Sequence, residues 1–190
     1  TRNNKTSVFA VGAGTLNAAS ISIPGGTGIN RISQVTVSTG TINVTGSITF
    51  SGIPDSAVFV STGASTVNVG GNFTNGGTLS TSGTGTINFN GSGTQIIGAY
   101  TTYNHVGASG GGDKTLGGHV TVGGVLTLTS GNITTGGYTL TLSANCPGSY
   151  SWTSGHIIGD LSLMFPTGST TCTFHVGDST GYAPITVAMA

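Results

Sequence analysis

Thr41-Ile42-Asn43-Val44, Thr66-Val67-Asn68-Val69 and Thr86-Ile87-Asn88-Phe89 repeat one four-residue pattern at offsets of 25 and 20 residues. Each copy follows a small-residue turn (38–40, 61–65 and 80–85) and leads into glycine at Gly46, Gly70-Gly71 or Gly91. A repeat of this length marks stacked, similar units rather than a single folded sheet. Around these copies apolar residues alternate with Thr, Ser or Asn, as in Val35-Thr36-Val37 and Ile48-Thr49-Phe50. That is the period of a strand with one buried face. The alternation continues in Val120-Thr121-Val122, in 125–129 and in 138–142.

Strands of three to five residues joined by glycine corners are too short for a large sandwich, but they suit the coils of a β-solenoid. At about 20 to 25 residues per coil the chain makes roughly seven or eight coils, some 35 to 40 Å of stack at about 4.8 Å per coil. The expected fold is therefore all-β, a β-solenoid of short Gly/Thr/Asn-rich coils. The body is assigned to residues 1–143, including an N-terminal strand region 1–24. Downstream of Ala144 aromatics and prolines gather: Pro147, Tyr150, Trp152, Phe165, Pro166, Phe174, Tyr182 and Pro184. Residues 144–190 are read as a distinct C-terminal β cap, since an open solenoid end presents unpaired backbone groups.

Composition agrees with this architecture. Gly, Thr and Ser make up nearly half of the 190 residues, while charged residues are 4% and net charge is zero. Helices disfavour this mixture, and disordered chains usually carry more charge and fewer β-branched residues. Two Lys and two Arg cannot neutralise a row of phosphates, so no nucleic-acid partner is expected. No stretch approaches 18 consecutive apolar residues, so no membrane insertion is expected. A first residue of Thr rather than Met reads as a processed or excised segment.

Two cysteines, Cys146 and Cys172, are the whole thiol content. An even count suggests one disulfide closing a loop of about 26 residues, worth roughly 3 kcal/mol in the chain-entropy model; the alternative is two unpaired buried thiols. Asn43, Asn68 and Asn88 occupy equivalent positions, so they either stack as an amide ladder along the axis or face solvent separately.

The segment 115–131 and its continuation 132–142 resemble the repeats of large secreted bacterial surface and adhesin-like proteins. Phe165-Pro166-Thr167-Gly168, followed by 174–187, is similar to the element that follows such repeats, with His175 standing where that element usually has proline. The resemblance covers roughly 85–190. It implies export and a β-solenoid body, and it implies no activity.

Catalytic chemistry finds little to build on. Glycosidases and lyases need grouped carboxylates, whereas this chain has no Glu and only Asp55, Asp113, Asp160 and Asp178. The four histidines lack metal-site spacing, and one Gly-Gly-Gly-Asp turn at 110–113 supplies too few oxygens for calcium. No enzyme activity, metal or cofactor is expected. Tyr150 and Trp152 lie two apart on one strand face, where they either pack the terminal unit or offer a surface on which a glycan stacks.

The expected function is structural: an extracellular or cell-surface protein, the subunit of a self-assembling filament whose partners are copies of itself. The terminal segments Ser7-Val8-Phe9-Ala10-Val11 and Ile185-Thr186-Val187-Ala188-Met189 are apolar and uncharged, and such edges invite strand addition. Val8, Phe9, Val11, Ile185 and Val187 are the candidate subunit contacts. The alternative is an adhesin stalk, or a module that binds ice or a surface glycan through Thr-rich faces, with Thr127/Thr129 and Thr139/Thr141 as the Thr-x-Thr pairs.

Overall fold

A computed structural model describes residues 5–26, 31–53 and 55–190. It is a β-solenoid of about 7 turns, with no helix among the described residues. Residues 1–4 of the N-terminal strand region fall outside the described residues.

Three sheets run along the three sides of the coil. The first stacks Lys5–Val11, Arg31–Val37, Ala57–Ser61 and Thr78–Thr81. The second stacks Thr15–Ala18, Thr41–Val44, Thr66–Val69, Thr86–Phe89, His105–Ala108, Leu126–Leu128 and Tyr150–Trp152. The third begins with Ile21–Ile23 and Ile48–Phe50 and passes through the single bridging residue Phe73. It continues with Gln95–Ile97, Lys114–Leu116, the start of Ile133–Asn145, Ile157–Met164 and Val176–Gly177. Every pairing in these stacks is parallel and joins one coil to the next, so the backbone is satisfied along the axis without side-chain charge.

In-register stacking turns the sequence alternation into a core. Leu16, Ile42, Val67, Ile87, Val106 and Leu126 are consecutive partners of one inward row, buried from Ile42 onward. The corner between the second and third sheets is turned by Gly131 and Gly155, both at positive φ. A Cβ on either would run into the carbonyl oxygen of the coil before, so glycine is required there by both backbone and space.

Parallel stacking does not stop at residue 143. Tyr150–Trp152 pairs with Leu126–Leu128, and Ile157–Met164 pairs along most of Ile133–Asn145. What departs from the stack is one antiparallel hairpin, Thr170–Phe174 against Ile185–Met189. The Cys146–Cys172 disulfide, with Cα atoms 5.9 Å apart, ties this hairpin to the body.

Five rings fill the middle of the stack. Phe73 meets Phe50 at 5.4 Å, Phe59 at 5.9 Å, Tyr100 at 5.7 Å and Tyr103 at 6.4 Å between centroids. Most of these pairs are edge-to-face, the arrangement favoured by the ring quadrupoles. The hydroxyls stay satisfied: Tyr100 donates to the Thr74 carbonyl at 3.0 Å and Tyr103 to the Gly98 carbonyl at 3.1 Å.

Burial pushes the Tyr100 phenol up to about 12 and the Tyr103 phenol well above its ordinary value, and Tyr150 near the C-terminal end is raised for the same reason. From pH 10 upward the unfolded chain releases these protons while the folded chain keeps them. Stability therefore falls with rising pH, by up to about 1.4 kcal/mol per pH unit for each tyrosine in its window. Lys114 works the other way, since burial lowers its folded pKa and stability rises between that value and the unfolded one, but it is one group against these three tyrosines and Tyr182, which burial also raises. The urea midpoint is expected to be clearly lower at pH 11 than at pH 9; an unchanged or higher midpoint would contradict this balance.

Candidate functional site

The two ends of the solenoid are the surfaces where chemistry is left open. At the first turn, Lys5–Val11, Thr15–Ala18 and Ile21–Ile23 each pair on one side only among the described residues. Phe9 belongs to the inward row of Val35, Phe59 and Leu79, yet it is 53% exposed, with no further coil over it among the described residues. Val8 is also exposed but points to the outer side of its strand, opposite Gln34. Val11 is buried, 8% exposed, so this candidate contact packs within its own chain.

At the other end the hairpin is amphipathic. Cys172 faces Val187 and Phe174 faces Ile185, forming one apolar face, while Thr173 and Thr186 share a hydroxyl contact of 3.1 Å on the other. Cys172 is fully buried, but Ile185 is 57% exposed, and Val187 and Met189 are also exposed. The apolar face thus extends beyond the part that the disulfide holds against the body.

An asparagine row runs along the outer surface of the second sheet. Asn43, Asn68 and Asn88 are in-register partners, and Asn17 precedes them. Each amide nitrogen donates to the Oδ1 of the coil before: Asn43 to Asn17 at 2.8 Å, Asn68 to Asn43 at 2.8 Å and Asn88 to Asn68 at 3.0 Å. Gly107 follows Asn88 in register, and a Cβ there would lie 2.6 Å from Asn88 Oδ1. The Ser109 hydroxyl donates to that oxygen at 3.0 Å and closes the row. Among the described residues the Asn17 amide nitrogen has no partner in the row, at the first turn. Both readings of these residues hold together, because they face outward and they also stack.

Asn68 makes two of these bonds in the middle of the row, and Asn17 makes one at its end. Asn68→Ala is expected to lower stability by about 1–2 kcal/mol and Asn17→Ala by about half as much, given roughly 0.5–1.5 kcal/mol per hydrogen bond. Urea titration of the two variants checks the ratio; equal costs would mean that the row adds nothing beyond local contacts.

Tyr150 and Trp152 part company. Tyr150 packs against the core with its hydroxyl buried, whereas Trp152 is 40% exposed and lies against His175 and Tyr182. Neither histidine of the middle coils sits in a cluster: His105 Nδ1 accepts from the Val125 amide at 2.8 Å and His119 Nδ1 from the Thr139 amide at 3.1 Å. Both bridge coils where the backbone ladder is interrupted. Among the described residues no group of three or more His, Cys, Asp or Glu side chains comes together, and no helix is long and apolar enough to cross a membrane.

No known family model, curated protein or solved structure matches this chain. The reading of its function therefore rests on its own geometry.

Sequence reasoning did not mark Asn17, although Thr15-Leu16-Asn17-Ala18 carries the same Thr-x-Asn pattern 26 residues before the first copy. In the sequence Tyr182 stands out only as one of the clustered aromatics and His175 as one of four histidines, both within the stretch that carries the resemblance. Nothing in their spacing indicates a meeting with Trp152. The Thr-x-Thr pairs fall on different sides of the coil, Thr127 on the second sheet and Thr139 with Thr141 on the strand Ile133–Asn145.

Proposed function

We propose that this chain is a structural protein of the cell exterior, the subunit of a filament in which copies join end to end through β-strand contacts. The observation that carries the reading is the open first turn. Among the described residues, three parallel strand edges, an uncovered inward Phe9 and an asparagine donor without a partner in its row together form the template on which another coil of the same kind would stack. The exposed apolar face of the C-terminal hairpin is the complementary sticky surface. A contact between unlike ends does not close on itself, so it propagates as a fibre unless its rotation happens to close a ring. With net charge zero, such a joint would resist salt. The disulfide supports an oxidising, extracellular setting, as does the resemblance to secreted bacterial surface proteins.

The test places a charge at the open end. Phe9→Asp, together with deletion of residues 1–12, is expected to abolish polymerisation seen by light scattering while Phe9→Asp keeps its β-sheet circular dichroism. If both variants polymerise as well as the intact chain, the first turn is not the connector.

An adhesin stalk or an ice- or glycan-binding module is the second reading, favoured by one observation. Thr15, Thr41, Thr66 and Thr86 are in register beside the asparagine row and form a regular polar face. Inhibition of ice recrystallisation by a non-polymerising variant would favour this reading over the filament.

A further inference from the structure

We propose that Trp152, His175 and Tyr182 form a binding platform for a neutral, β-linked pyranose chain. The three rings lie nearly parallel. Trp152 stacks on His175 at 4.6 Å and 14°, and on Tyr182 at 5.1 Å and 15°. His175 and Tyr182 are 6.0 Å apart at 11°, and the His175 Nδ1 to Tyr182 Oη distance is 2.7 Å. Rings on opposite faces of the indole would stand much farther apart, so the imidazole and phenol form one hydrogen-bonded, nearly coplanar pair covering a single indole face.

Each component is fixed before any ligand arrives. The Trp152 Nε1 donates to the Gly155 carbonyl at 2.8 Å. The turn carrying Tyr182 is held by the Asp178 amide to the Gly181 carbonyl at 3.0 Å and by the Ala183 amide to the Val176 carbonyl at 2.9 Å. His156 Nε2 also meets the Asp178 carbonyl at 2.9 Å. Preorganised rings lose little entropy on binding, which favours affinity for a weakly interacting ligand.

Trp152 is in register with the buried Leu128 and ends that inward row at the last coil, where it stays 40% and Tyr182 41% exposed, which leaves ring surface open to a ligand. The nearest core contact is made by Tyr150 instead, at 5.0 Å from His175.

Flat aromatic surfaces with polar edges suit ligands that present a flat C–H face and hydroxyls around it. Pyranose rings with equatorial hydroxyls have that shape, and β-linkage keeps successive rings in one ribbon. The rings and polar groups that build the platform include no Lys or Arg to recognise an acidic sugar, and Asp178, whose Oδ1 is taken up by the Thr180 and Gly181 amides, disfavours one. The platform lies where the second sheet turns into the third, and this inference does not rest on the filament reading.

Trp152 is the only tryptophan, so its fluorescence reports this site alone. Titration of the intact protein with cellohexaose is expected to give a saturable change with a sub-millimolar Kd. Maltohexaose, whose α-linkage curls the chain, and tri-galacturonic acid are expected to bind at least about 10-fold more weakly, a difference of roughly 1.4 kcal/mol. Tyr182→Ala is expected to lose at least about 10-fold in affinity, whereas Tyr182→Phe keeps the ring and stays within about 3-fold of the parent. No saturable change with cellohexaose would overturn the proposal whatever the variants do. Equal binding of maltohexaose or of the acidic trimer would overturn the assigned sugar class.

Discussion

Lys114→Ala is expected to lower the unfolding free energy by about 3–5 kcal/mol, because buried carbonyl acceptors lose a charged donor at about 1–3 kcal/mol for each one left unsatisfied. Lys114 is fully buried. Its ammonium donates to the carbonyls of Gly91 at 3.2 Å and Ser109 at 3.0 Å, and also to that of Gly112. These carbonyls belong to the corners between the second and third sheets, where backbone pairing reaches the Gly91 carbonyl, from the Gly112 amide at 3.3 Å, but not the other two. One coil earlier Gln95, the in-register partner of Lys114, does the same work. Its Oε1 accepts from the Gly91 amide at 2.8 Å, and its Nε2 donates to the Val69 carbonyl at 2.7 Å and to that of Gly71.

Removal of the lysine leaves the buried Ser109 and Gly112 carbonyls without a donor and the Gly91 carbonyl with only the Gly112 amide at 3.3 Å, at about 1–3 kcal/mol for each one left dry. Lys114→Met restores volume but no donor and is expected to cost nearly as much as alanine. Lys114→Gln, which places the Gln95 chemistry one coil on, is expected to cost less than half. Urea denaturation at neutral pH orders the three; a methionine variant as stable as the parent would show that the carbonyls do not need the cation.

Phe73→Ala is expected to cost about 3–5 kcal/mol, the range for emptying a fully buried aromatic site. The ring is 0% exposed and touches four other rings, so neighbours on three coils would have to move to refill the space. Because each coil is stabilised chiefly by its neighbours, a defect in the middle of the stack weakens the interfaces on both sides. Phe73→Leu, which keeps most of the volume, is expected to cost about half as much. Equal midpoints for the two variants would show that restored volume recovers nothing and would contradict the cavity account.

The Thr-x-Asn copies made the solenoid legible because in-register parallel stacking preserves sequence identity from coil to coil. The same alternation revealed the inward rows through Val120–Val122 and the 138–142 segment. Beyond 144 the shift toward aromatics and prolines pointed to a separate unit, and it concealed strands that still stack. Leu161-Ser162-Leu163 pairs with Leu140-Thr141-Leu142 residue for residue, and its alternation was the available signal. Gln95 and Lys114 escaped notice because a polar residue buried at a corner looks, in sequence, like any exposed one. Trp152, His175 and Tyr182 meet only through the path of the last turn, which local periodicity does not encode.

The end-to-end joint is tested most directly by electron microscopy of the intact protein at high concentration. About seven turns at about 4.8 Å each give a stack of roughly 34 Å, so filaments of one solenoid's width with an axial repeat of about 35–40 Å per subunit are expected. A stable monomer at every concentration, or fibrils showing only the single-strand repeat, would contradict the account.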